Sequence, residues 1–249
     1  MDTDESGTPG SPTAQVPGRR ARRQAEIRSR LLAAGMTVFS RRGIEEATIA
    51  QITEAADVGF GTFYLYFPTK EALYRAVVRD GFADLGKRIT ELLQTAESTG
   101  QPWRSTVEAG VDILFRFAAV HRDLFSLMFT GPDMGKGGIG GEQGGRLAAW
   151  AAAVVGAAAR AECGGEHPAD EDLIDILTVA VIATLRRTTI RWMRAHAEVS
   201  LENAALPVEV IGKQVGRFIA AGLAAAICLE NGAGTPAATQ ESAGSEPDA

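Results

Sequence analysis

With 249 residues, 45% apolar, 22% charged and 6% aromatic, the chain has ordinary globular composition, enough for one large domain or two modest ones. No apolar segment follows a basic start, and the longest apolar stretches, about 148–159 and 219–229, read as too short and Ala-rich for a bilayer, so neither a secretory leader nor a membrane span is expected. A net charge of −6 argues against a polyanionic partner until its distribution is seen: between Arg19 and Gly43 eight arginines face Glu26 alone, leaving that stretch near +7 and the remainder near −13.

Residues 1–18 and 231–249 are rich in Gly, Pro, Ser, Thr and acids and cannot bury enough apolar surface to offset their chain entropy, so both are expected to be disordered tails. Between them the pattern is helical, with no stretch of period-two alternation. A first helix is expected near 22–42, with Ile27, Leu31, Leu32, Val38 and Phe39 as its buried stripe and Gly43 as its stop, behind the cations Arg41 and Arg42. Thr48 offers a hydroxyl to cap a second helix whose apolar face carries Ile49, Ile52 and Ala56. After a break at Asp57-Val58-Gly59 comes a short third helix, about 60–66, and then a long fourth, from Lys70 to about Ser98. Three helices with a tight break between the second and third make a helix-turn-helix.

Five more helices are expected, near 102–120, 121–130, 146–163, 169–196 and 207–230. The segment 131–145 holds eight glycines and reads as a mobile loop. Cys163 and Cys228 offer neither a disulfide framework nor metal spacing and read as small buried hydrophobes of a reducing cytoplasm. His121, His167 and His196 are far apart in sequence, so no metal site is expected. No nucleophile elbow or phosphate-binding loop is present, so no catalytic residue and no cofactor is assigned.

The run Leu32-Ala33-Ala34, Val38-Phe39, Arg42-Gly43-Ile44, Thr48-Ile49, Ile52, Ala55-Ala56, Val58, Gly61-Thr62-Phe63-Tyr64-Leu65-Tyr66-Phe67 and Lys70-Glu71-Ala72-Leu73 resembles the DNA-binding domain of the TetR family of bacterial transcriptional regulators. The match covers nearly fifty residues, and the rest of the chain agrees only in its helical layout. The resemblance implies an all-α fold of about nine helices. A DNA-binding domain would occupy 19–84, with its helix-turn-helix at about 47–66, and a ligand-sensing, dimerising domain 85–230. It implies double-stranded operator DNA as a partner, a small-molecule effector, and a homodimer paired through the last two helices in the cytoplasm, with no membrane partner.

Val58, Phe63 and Phe67, about four apart, can seat the third helix on the first two. That leaves Phe60, Gly61, Thr62, Tyr64 and Leu65 nearer the exposed side, with hydroxyls on Thr62 and Tyr64 for phosphates. In the family, positions matching Thr48, Tyr64 and Lys70 commonly hold the DNA backbone while the third helix reads the major groove. Gln51 and Phe60 are the expected base readers, Gln for adenine and Phe for a thymine methyl. The cluster Arg19, Arg20, Arg22 and Arg23 is expected as an arm ahead of the first helix, lying in the minor groove or solvated. Three positions depart from the family pattern. Asp57 stands for a usual Gly, Gly59 for a Ser whose hydroxyl would cap the helix and touch phosphate, and Thr53 for a small Ala.

For the effector, Phe115, Arg116, Phe125, Met128, Phe129, Trp150, Arg187, Arg191 and Trp192 are the pocket candidates. Aromatic and Met side chains can line an adaptable apolar cavity, or equally make plain core. The arginines suit an anionic end. On these grounds the chain reads as a ligand-responsive repressor released by an apolar or amphipathic effector. The alternative is a helical enzyme or small-molecule carrier that has lost operator binding.

Overall fold

A computed structural model of the chain describes residues 18–130, 145–162, 171–196 and 207–232. These form nine helices and no strand: α1 Arg19–Glu46, α2 Ile49–Ala55, α3 Phe60–Tyr64, α4 Lys70–Thr99, α5 Trp103–Val120, α6 Arg122–Thr130, α7 Gly145–Glu162, α8 Glu171–Ala195 and α9 Val208–Gly232. The expected loop 131–145, but for Gly145, lies outside the described residues, as do the expected tails up to residue 17 and beyond residue 232. So do the side chains of Cys163, Cys228 and His167. The chain divides into two compact units, one ending at Val77 and one starting at Val78.

The first unit is the three-helix head with the start of α4. Leu31, Val38 and Phe39 of α1 are buried with Ile52 and Ala56 of the second helix, Phe63 of the third, and Phe67, Leu73 and Tyr74. Ile27 and Leu32, expected in that stripe, are only half-buried. The first helix also runs further than expected at both ends. Gly43 leaves helical geometry at φ 76°, a conformation that favours glycine, yet the chain resumes helix to Glu46. Upstream, Arg19–Arg23 is the first turn of α1 and not an arm ahead of it. Arg has high helix propensity and Ala21 and Ala25 interleave, so the segment needs no apolar stripe to be helical.

The second unit has a large core in which Phe82, Leu85, Phe115, Phe125, Met128, Trp150, Leu185 and Leu223 are buried together. The last helix lies chiefly against α5. Gly212 and Gly216 allow that approach, since a Cβ at either would press on the backbone of Asp112 or Glu108. Val208–Ile227 is long and apolar enough to cross a membrane by length and composition, where the shorter stretch 219–229 was expected to fall short. Its Ile219, Ala220 and Leu223 are nonetheless buried in the core.

Gly110 of α5 makes a second such approach, because a Cβ there would collide with the Trp150 indole. Gly110→Ala is therefore expected to displace that ring and destabilise the second unit by about 1–3 kcal/mol, as overpacked cores do. Denaturant unfolding followed by tryptophan fluorescence checks this. An unshifted midpoint with an unshifted spectrum would mean that the two helices do not meet there.

Candidate nucleic-acid interface and ligand cavities

Both ends of α2 are held by side chains. Thr48 and Gln51 form a reciprocal cap: the Thr48 Oγ1 accepts from the Gln51 backbone N–H at 3.3 Å, and the Gln51 Oε1 accepts from the Thr48 N–H at 3.1 Å. Asp57 sits at φ 50°, the left-handed conformation that its short polar side chain tolerates. The Arg30 guanidinium then reaches 27 residues along the chain to donate to the Asp57 carboxylate at 2.9 Å, and to its carbonyl. No sequence pattern signalled that pair. Thr53, the departure inside α2, is buried with its hydroxyl donating to the carbonyls of Ile49 and Ala50.

From this turn α3 rises with Phe63 inward and with Phe60, Gly61, Tyr64 and Leu65 outward. Tyr64 is 50% exposed, its ring edge-on to Phe60 at 5.7 Å and to Phe63 at 5.5 Å. A Cβ on Gly61 would meet nothing within 4 Å, so no intramolecular contact demands the glycine. What its bare backbone offers is room for a partner from outside. Gly59 precedes the helix without a side-chain cap, as a residue lacking a hydroxyl must. Thr62 is half-buried beside it.

Two expected DNA contacts have partners inside the protein. The capping box engages the Gln51 carbonyl, whereas pairing with adenine needs its oxygen and nitrogen together. As folded, Gln51 is a capping residue. The Lys70 ammonium, expected as a free phosphate anchor, donates to the carbonyls of Glu45 and Ala47 at 2.8 and 2.9 Å. It satisfies groups left open where α1 ends, at that helix's negative pole, and retains one N–H of three. Beside it, its own backbone N–H and then the Thr69 hydroxyl hold the Glu71 carboxyl below the ordinary carboxylate range. Arg19, Arg20, Arg22 and Arg23 are all exposed on α1.

In the second unit the expected pocket residues part company. Phe115, Phe125, Met128, Phe129 and Trp192 are buried core, with Phe125 stacked on Phe129 at 4.4 Å and Phe115 edge-on to Trp192 at 5.8 Å. Arg187 and Arg191 are exposed on α8, turned away from that core. Trp150 does line an open cavity of about 620 Å³, with Ile89 and Leu93 of α4 and Ala149 of α7. Leu93 is shared with a neighbouring cavity of about 410 Å³ that adds Ala96, Trp103 and Val154. Arg116 lines a different cavity, beside Asp112, whose hydrogen bond raises its guanidinium further above its ordinary value. Among the described residues no group of three or more His, Cys, Asp or Glu side chains is placed to hold a metal ion.

Residues 31–77 match the family model described as bacterial regulatory proteins, tetR family. An uncharacterised helix-turn-helix transcriptional regulator of Bacillus subtilis, YdgC, is 31% identical over 104 residues, which are 42% of this chain and 53% of that protein. The helix-turn-helix transcriptional repressor DhaR of a Mycobacterium species is 37% identical over 70 residues, 28% of this chain and 35% of the relative. The matches thus span about half of such relatives' length at most. The fold extends further: the fatty acid degradation regulator FadR of Bacillus halodurans superposes with a TM-score of 0.64 over 84% of this chain and 98% of its own, at 16% identity.

Proposed function

We infer that this chain, which through its N-terminal domain belongs to the TetR family of bacterial regulatory proteins, is a DNA-binding transcriptional regulator that acts as a ligand-released repressor in the cytoplasm. The observation that carries it is the outer face of α3. An aromatic and hydroxyl-bearing surface with a bare glycine backbone is left uncovered on a unit whose first helix opens with four exposed arginines. Such a surface matches the two needs of a DNA reader, apolar and hydrogen-bonding contact to base edges and cationic contact to phosphates. The repressor sense is supported by the role in DhaR's name.

A homodimer through α8 and α9 suits the apolar side chains those helices leave outside, Ile176 and Val179 on one, Val210 and Phe218 on the other. A helix face that stays apolar in water has a partner to find. The effector is read as small and largely apolar, lodged between α4 and α7 beside Trp150, where the described cavities fall within the usual size of ligand sites.

A gel shift on DNA from upstream of the protein's own gene tests the reading. Wild type should retard a discrete fragment. Tyr64→Phe should bind it about 1 kcal/mol more weakly with unchanged thermal stability, since an exposed hydroxyl is removed and nothing in the core moves. Failure of the wild-type chain to select any fragment over bulk DNA would instead favour a carrier or enzyme on a borrowed fold.

A further inference from the structure

We propose that the cavity where α4, α5 and α9 meet is a second ligand site, built for a single carboxylate carried on an apolar body. Its volume is about 620 Å³, ample for a small organic acid. Arg88 enters from α4, Arg116 and Phe117 from the last turn of α5, and Glu209 from the first turn of α9. His121 and Val120 complete the wall.

Both guanidiniums are held in place by an aspartate one turn earlier on their own helix. Arg88 donates to Asp84 at 3.1 Å and Arg116, through Nε, to Asp112 at 2.7 Å. A guanidinium has five N–H donors in a fixed fork, so each retains several without a partner among the described residues. Those donors are what a carboxylate takes, with two oxygens in one plane. The charge count selects the ligand further. Asp84, Asp112 and Glu209 together outnumber the two guanidiniums, so a carboxylate is received by taking over the donors that Glu209 now faces, and a dianion such as a phosphate monoester is opposed further.

The group now nearest that role is Glu209, whose carboxylate stands 3.4 Å from Arg116 Nη1 with both side chains about half exposed. Such a pair holds weakly in water, so an incoming carboxylate can replace it at little cost. The apolar body has its place beside it. The Phe117 ring is buried with the Arg88 guanidinium 5.8 Å over it and the His121 ring 4.9 Å away, and Val120 is left 72% exposed at the lip. An exposed branched side chain next to two oriented cations is how an amphipathic acid would be received.

Titration calorimetry of the full chain with phenylacetate, phenylpropionate and phenylbutyrate tests this, against phenylbutyramide as the neutral isostere and phenyl phosphate as the dianion. At least one acid should bind, about tenfold or more tighter than the amide and the phosphate. Arg116→Met and Arg88→Met should each weaken the acid about tenfold, and Glu209→Gln should tighten it severalfold by removing the competitor. Should Arg116→Met fail to fold for want of a partner for Asp112, Arg88→Met carries the test, its Asp84 being half exposed. No heat from any of the three acids, equal binding of acid and amide, or weaker binding by Glu209→Gln would each overturn the proposal. No DNA enters these titrations, so their failure leaves operator recognition standing and is told apart from it.

Discussion

Phe125→Ala is expected to lower the stability of the second unit by about 3–5 kcal/mol, the range for emptying a fully buried aromatic site. The ring has 0% exposure, stacks on Phe129, and reaches Phe82 through it, since Phe129 and Phe82 meet edge-on at 5.4 Å. Met128 beside it is equally buried. Helices α4 and α6 thus share one packed aromatic layer, and a missing ring leaves a hole that its neighbours only partly fill. Against a total stability of about 5–15 kcal/mol this is a large fraction, and a melting temperature lower by roughly 6–20 °C should follow. A residue lining the effector pocket, as the sequence suggests for Phe125, would on that substitution alter effector response more than operator affinity. Burial reverses that expectation: response, affinity and folded population should decline together. Thermal unfolding and a gel shift on one preparation decide it. A variant with wild-type melting and a changed effector response would return Phe125 to the ligand site.

The reason for that reversal marks where the sequence ran out. Periodicity and caps placed the helices, because a stripe of apolar residues and a Thr48 before Ile49 act within one or two turns. They carry no information about which side chains close on one another and which leave a gap. Phe125 and Trp150 look alike in the sequence and both are buried in one core, yet Trp150 also borders an open groove. The head shows the same limit at the level of single hydrogen bonds. Lys70 lies 23 residues from Ala47, and nothing local announces that a carbonyl left over where α1 ends would take its ammonium. Arg30 and Asp57, 27 residues apart, were equally invisible. By contrast the cap at Gln51 was legible: Thr at one position and Gln three later is the sequence form of a capping box, and it competes with base reading for the same carbonyl. The pairs Asp84–Arg88 and Asp112–Arg116 were likewise legible as i,i+4 spacings, but that their two arginines line one cavity was not.

Replacing Arg19, Arg20, Arg22 and Arg23 together by Gln should separate DNA affinity from stability, with the opposite pattern to Phe125→Ala. On a helix that advances about 100° per residue, these four side chains fall within an arc of roughly 160°, so they form one broad cationic face. They also occupy the end of α1 where cations are least welcome. The backbone N–H groups there carry partial positive charge, the first turn contains no acid, and Gly18 supplies no side-chain cap. Without a polyanion, four like charges at a positive pole oppose the helix start by about 0.3–1 kcal/mol each at low salt. With phosphates in reach the same features become attractive, since both the guanidiniums and the free N–H groups bind them. Gln keeps the helix propensity and removes the charge. The quadruple variant should therefore melt no lower than wild type, and slightly higher at low salt. Its operator affinity should fall, and log affinity should depend less steeply on log salt by roughly 2–4 units per chain, at about 0.9 for each phosphate no longer neutralised. Filter binding at three or four salt concentrations measures this slope directly. The preferred sequence should stay the same, because groups that touch only phosphate carry no base information. An unchanged slope would make the cluster a solvated surface, and a changed preference would place some of these arginines against bases.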